Sequence, residues 1–179
     1  LGGISTNYQN NVLFGDNNVV VVEADEYDRS FLTLHPNIAI VTSADADHLD
    51  IYGEASKLQE SFQMFLDRVV EDGQKIVRKG LPFAADINYA REEVCDAYAE
   101  NVVVKDGEFY FDYHSEDLTI KDIHLGIPGL HNVENAVAAI TVAKLLGIAA
   151  PKIVHALSTF AGVKRRFEYI FKSPKHIYI

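Results

Sequence analysis

The feature that most constrains this chain is the run Val19-Val20-Val21-Val22, followed at once by Glu23-Ala24-Asp25-Glu26-Tyr27-Asp28. Consecutive β-branched side chains crowd a helix and pack well on a pleated surface, so the run predicts a strand covered on both faces. Glu23, Asp25, Glu26 and Asp28 then crowd its carboxyl end. In open parallel sheets ligands bind outside the carboxyl ends of strands, which makes this position a candidate metal or phosphate site. Alone, such an acidic end reads most simply as a solvated loop. A second strand of the same kind changes the balance. Ile38-Ala39-Ile40-Val41-Thr42 is apolar without alternation and runs out into Ser43-Ala44-Asp45-Ala46-Asp47-His48-Leu49-Asp50.

The rest of the chain supplies the layers for such a sheet. Val12-Leu13-Phe14, a Gly15-Asp16-Asn17-Asn18 turn and the valine run read as two strands. Leu58, Phe62, Phe65, Leu66 and Val69 fall at helical spacing and predict a helix over 54–72, with Ser56 as N-cap and Gly73 as stop. Lys75-Ile76-Val77-Arg78 predicts a strand, and 83–92 reads as a short helix. From Val94 to Leu125 the period changes to two. The Lys105-Asp106-Gly107 turn between apolar runs predicts a small antiparallel sheet there, within which Tyr110 and Tyr113 pack. An Ala-rich helix should run from the His131 region to Leu146, stopped by Gly147, and another from Pro151 to about Phe160. The expected fold is α/β: a mostly parallel central sheet flanked by helices, with a small antiparallel sheet at about 94–125.

At 179 residues and 48% hydrophobic the chain can bury one substantial core. A net charge of −10 without any basic run argues against nucleic acid or an anionic membrane as partner. Cys95 is the only cysteine, which removes a disulfide framework or cysteine metal cluster and points to a reducing, cytoplasmic setting. No apolar run is long enough to span a bilayer. Leu1-Gly2-Gly3 opens without methionine and Lys175-His176-Ile177-Tyr178-Ile179 stops within a strand-like segment, so the chain is expected to be a piece of a longer one.

Magnesium takes hard oxygen ligands, keeps several waters and draws few ligands from protein. Glu23 could give it an oxygen and His48 a nitrogen, although the Asp-x-Asp-His-x-Asp pattern alone equally suggests zinc or a two-metal hydrolase. Asp45, Asp47 and Asp50 are expected to be turn formers. His131, Asn132 and Asn135 stand where a loop enters a helix. They read either as an ordinary N-cap or as amides matched to a purine edge. Arg165 and Arg166 follow Gly162. Adjacent arginines are commonly plain surface charge, yet arginine is also the residue suited to bidentate phosphate contact. No phosphate-cradling G-x-x-x-x-G-K-[ST] is present.

Four segments together resemble the central domain of the Mur ligases, in that family's order and across nearly the whole chain. They are Glu23-Ala24-Asp25-Glu26-Tyr27-Asp28-Arg29-Ser30-Phe31, Ala44-Asp45-Ala46-Asp47-His48-Leu49-Asp50, His131-Asn132-Val133-Glu134-Asn135-Ala136 and Gly162-Val163-Lys164-Arg165-Arg166-Phe167. The resemblance, nearest to the alanine-adding branch, implies a cytoplasmic three-domain enzyme of peptidoglycan synthesis that uses ATP and Mg2+. It would join L-alanine to UDP-N-acetylmuramate through an acyl phosphate. By the same resemblance Glu23 and His48 hold magnesium and His48 belongs to the catalytic set. Asn132 and Asn135, with His131 near, contact adenine. Arg166 reaches the γ-phosphate, and Asp28 and Ser30 lie towards the sugar substrate.

Residues 1–171 would form the ATP-binding domain and 172–179 the start of a C-terminal ligase domain. The family's glycine-rich phosphate loop is expected just upstream of Leu1, so the fragment alone is expected to be inactive. The helix after His48 lacks the lysine that some members carbamylate, offering Gln59, Gln63 and Asp67 instead, which suits the alanine-adding branch. Glu-Ala-Asp-Glu-Tyr-Asp also resembles the tripeptide-recycling ligase. A metal-dependent phosphohydrolase and a binding module without catalysis are the readings from other classes.

Overall fold

The computed structural model describes residues 2–27, 29–45, 54–166, 171–173 and 176–178. The chain divides into two compact units, Ala24–Ala90 and a second made of Leu1–Glu23 with Arg91–Ile179.

In the first unit a 3-10 turn at Ser30–Thr33 precedes strand β1 (Ile38–Val41), helix α1 (Ala55–Leu66), β2 (Gln74–Arg78) and β3 (Ile87–Arg91). β1 pairs with β2, and β2 with β3, all in parallel; Val41 faces Val77 and Ile76 faces Ile87. The core forms where α1 lies over these strands. Phe31, Ala39, Val41, Phe65, Leu66 and Val77 are buried together, with the Phe31 ring 5.7 Å from Phe62 and 5.3 Å from Phe65. The apolar spacing expected for the first helix is therefore core, as its periodicity implies.

In the second unit β4 (Ala97–Lys105), β5 (Glu108–Ser115) and β6 (Thr119–Leu125) form an antiparallel meander. Asp106 and Gly107 both have positive φ (53° and 76°), the mirror-image turn that suits the strand twist. Phe111 and Tyr113 of β5 and Ile120, Ile123 and Leu125 of β6 are buried. Helix α2 (Leu130–Leu145) packs on β4 and β5, and α3 (Ala150–Thr159) on β6. Val133, Ala136, Val137, Ala138, Ile140 and Thr141 are the buried positions of α2. Inside this layer the Tyr113 hydroxyl lies 3.1 Å from Thr141 Oγ1, which itself donates to Val137 O. On the other face of the sheet His114 stacks on Tyr98, and His124 on Tyr110. A short hairpin, β7 (Phe171–Lys172) with β8 (Ile177–Tyr178), follows.

The α/β class is as expected, and the antiparallel part is substantial, with strands of nine, eight and seven residues. Four local expectations are corrected. Residues 12–26 form no strand, and Val20 and Val21 are 85% and 86% exposed. β-propensity measures fit to a pleated, half-buried surface, and no described strand pairs with this run. The first helix ends at Leu66 rather than at 72, because Asp67, Arg68 and Val69 close into a turn before Gly73. Its N-cap position is Glu54, and Ser56 lies inside the first turn. Residues 87–91 are a strand, not a helix, since parallel pairing to β2 claims their backbone bonds.

Candidate functional site

In the second unit Glu23 and the turn that carries Arg165 and Arg166 are tied to one stretch of irregular backbone, Gly2–Asn7. Its first residue donates its N–H to the carboxylate of Glu23. A Cβ built on Gly2 would stand 2.5 Å from Glu23 Oε1, so glycine lets the main chain come this close to the acid. Farther along, Lys164 N donates to Ile4 O at 2.9 Å and Thr6 N to Gly162 O at 2.9 Å. Ser5 bridges Val163 antiparallel. Beyond Val163 the chain makes a tight turn. Arg165 adopts φ 64°, and Arg166 N returns to Val163 O at 3.2 Å. Lys164 Nζ meets Gln9 Oε1, and the exposed Arg165 and Arg166 stand at the tip.

Glu23 and the arginine turn thus hang from the same short strap. A fully extended chain covers at most ~3.6 Å per residue, so the steps from Gly2 to Ser5 span no more than ~11 Å.

The loop 126–129 adjoins the same turn. A Cβ on Gly162, whose φ is 82°, would lie 3.1 Å from Ile127 Cγ2, and Gly126 N donates to Leu157 O at 2.9 Å. Gly129 is the N-cap of α2 and makes no side-chain cap. His131, Asn132 and Asn135 therefore sit within the first two turns of the helix, not before it, and the ordinary N-cap reading does not apply. Asn132 Nδ2 donates to Pro128 O at 2.6 Å. Residues 131 and 135, four apart, share a face.

Ser30 and the acids that follow Glu23 belong to the first unit. Asp25 Oδ1 accepts the N–H of Tyr27 at 3.0 Å, while Asp25 O accepts from Phe31 N and Ser30 Oγ. Arg29 has φ 62°. This turn buries Phe31 and uses Asp25 for local structure. A cleft of about 320 Å³ opens beside it, with Glu26, Thr42, Ser43 and Asp45 among its polar lining and Phe31, Leu58 and Phe62 among its apolar lining. Asp45 is a turn former, as expected: Ser43 Oγ donates to Asp45 Oδ2 at 2.6 Å, and Asp45 N to Ser43 Oγ at 3.1 Å. His48, Asp28, Asp47 and Asp50 lie outside the described residues.

Glu23 is a hard carboxylate donor at an exposed position with the main chain close beside it, which fits magnesium. Among the described residues no three His, Cys, Asp or Glu side chains converge as a metal cage. A magnesium site needs no such cage when phosphates and water complete it. Sequence reasoning missed the strap itself. Nothing in the residues around Gly2 announces a partner at Glu23, and nothing near Asn7 announces partners at Thr159 and Ala161.

A parallel β-α-β layer in one unit and a helix-covered antiparallel meander in the other describe an α/β protein. The chain belongs to the Mur ligase family: the Mur ligase middle domain matches residues 7–143. It is 43% identical over 179 residues to the UDP-N-acetylmuramate–L-alanine ligase of Flavobacterium psychrophilum, covering 100% of this chain and 40% of that protein. Among solved structures it is similar to the UDP-N-acetylmuramate-alanine ligase of Thermotoga maritima, with TM-score 0.82, 27% identity, and coverage of 98% of this chain and 41% of that one. It is also similar to a murein peptide ligase from Psychrobacter arcticus, with TM-score 0.63, 26% identity, and coverage of 92% and 38%. The chain thus spans about 40% of the length of the curated relatives it matches.

Proposed function

We propose that this chain is the ATP-binding middle domain of a cytoplasmic enzyme that joins L-alanine to UDP-N-acetylmuramate. The observation that carries the phosphoryl-transfer part is the tethering of Glu23 and the Arg165-Arg166 turn to one strap. The choice of alanine is supported by the likeness over the full chain to named alanine ligases.

In this reading a carboxylate oxygen of the muramate attacks the γ-phosphorus of ATP. The bond from that phosphorus to the β–γ bridging oxygen breaks, and ADP leaves. Arg166 pairs with the phosphoryl oxygens as charge spreads over them. The alanine amine then attacks the acyl carbon, the C–O bond to phosphate breaks, and the nitrogen loses its proton. Glu23 and His48 would hold magnesium, which would supply neutralisation of phosphate charge there. Asn132 accepts from the adenine amino group through Oδ1, while one hydrogen of its Nδ2 is held by Pro128 O. His131 and Asn135 flank it. Asp28 and Ser30 are the candidates for contact with the sugar substrate, residues 1–171 form the domain, and 172–179 lead into the amino-acid-binding domain.

The test is an ATP-dependent ligation assay on the product of the whole reading frame that encodes this chain. L-Alanine should be the acceptor substrate that yields ADP, phosphate and a new amide, and the murein tripeptide should be a poor one. The reverse preference would assign the tripeptide-recycling reaction instead. Phosphoester hydrolysis with zinc or manganese, abolished by His48→Ala, would make the protein a hydrolase.

A further inference from the structure

Asn7 makes two bonds that no neighbour in sequence explains. Its Nδ2 donates to Thr159 O at 2.7 Å, and its Oδ1 accepts Ala161 N–H at 2.8 Å. The amide orientation is unambiguous, since a flipped group would set oxygen against oxygen and donor against donor. Thr159 is the last residue of α3, where helix carbonyls lack intrahelical partners. Ala161 lies just beyond it. The side chain therefore spans the helix exit, and its donor and acceptor act like one more backbone rung. The ladder then continues as Thr6 N to Gly162 O and Lys164 N to Ile4 O. Five residues after Ala161 the chain reaches Arg166.

We infer that Asn7 is a positioning residue that sets the direction in which the Gly162–Arg166 turn leaves α3, and so aims the Arg166 guanidinium. This rests on the reading of Arg166 as the phosphate-binding arginine given above. Phosphoryl transfer is won mainly by placement and charge, and a misplacement of about 1 Å can cost up to ~100-fold in rate. Asn7, Thr159 and Ala161 are all exposed, so water can replace both bonds when the amide is removed. The fold is thereby spared while the aim of the turn is lost.

The experiment uses the full-length protein in five forms: the parent, Asn7→Ala, Asn7→Asp, Arg166→Ala and the Asn7→Ala/Arg166→Ala double variant. Asn7→Ala should lower kcat about tenfold, leave the KM for L-alanine unchanged and keep the parent's melting temperature. In the Arg166→Ala background the same change should have no further effect on kcat, because both act through one group. Asn7→Asp, which keeps the acceptor for Ala161 N–H but sets a carboxylate oxygen against Thr159 O, should lower kcat at least as far as Asn7→Ala. It also provides a reading should Asn7→Ala fold poorly. An unchanged kcat in Asn7→Ala, or a loss that multiplies with that of Arg166→Ala, would overturn the inference while leaving the role of Arg166 standing. Full activity in Arg166→Ala would overturn that role and this inference with it.

Discussion

The main chain of Gly2 donates to the carboxylate of Glu23, 21 positions further along the chain. The Glu23 side chain is thus aimed by a peptide N–H, and a methyl group on Gly2 would occupy the space where its oxygens lie.

Gly2→Ala should therefore act on the metal requirement and not on the fold. The atoms that a Cβ would meet belong to the far end of a flexible, exposed side chain, so the carboxylate swings away at little cost. Stability should change by less than about 0.5 kcal/mol, the usual range for surface substitutions. The magnesium concentration for half-maximal activity of the full-length protein should rise several-fold, which titration of activity against Mg2+ checks.

Arg166 and Arg165 should separate clearly. Arg166→Ala should lower kcat by about 10³-fold, the lower end of what a phosphate-stabilising arginine contributes. Arg165→Ala should cost less than about tenfold, and Arg165→Gly should be tolerated, because φ 64° is where glycine sits without strain. Steady-state kinetics of the three variants decides this.

Asp112 should give the antiparallel sheet an acid-sensitive component. Its carboxylate accepts Asp122 N–H at 2.8 Å and Asn101 Nδ2–H at 2.9 Å. These bonds, chiefly the one from the Asp122 backbone, hold its pKa below the usual value. A carboxyl lowered in the folded state contributes stability above its unfolded value, about 3.9, and loses it as pH falls through the folded value. Asp112→Asn should accordingly flatten the decline in stability below about pH 4. Denaturant unfolding of both proteins across the acid range measures the difference.

Much of the framework was legible in the sequence because its signals are local. The Lys105-Asp106-Gly107 turn, the stop at Gly147 and Pro151 at a helix start each dictate backbone geometry over a few residues. The valine run failed for the opposite reason. A strand exists only with a partner, and four valines carry no information about whether one is present. Residues 87–91 became a strand through pairing with β2, another relation that a linear pattern does not record. At the site, Glu23, Arg166 and Asn132 stood out by residue type. The strap that ties Glu23 and the arginine turn did not, because its bonds join Gly2 to Glu23, Ile4 to Lys164 and Asn7 to Ala161 across most of the chain.

The most direct test follows oxygen from the muramate carboxylate. With UDP-N-acetylmuramate labelled at both carboxylate oxygens with oxygen-18, the full-length protein, ATP and L-alanine should yield one labelled oxygen in the released orthophosphate for each amide formed. The second label should remain in the amide carbonyl. Label appearing in AMP, or orthophosphate free of label while amide accumulates, would contradict transfer of the γ-phosphoryl group to the carboxylate.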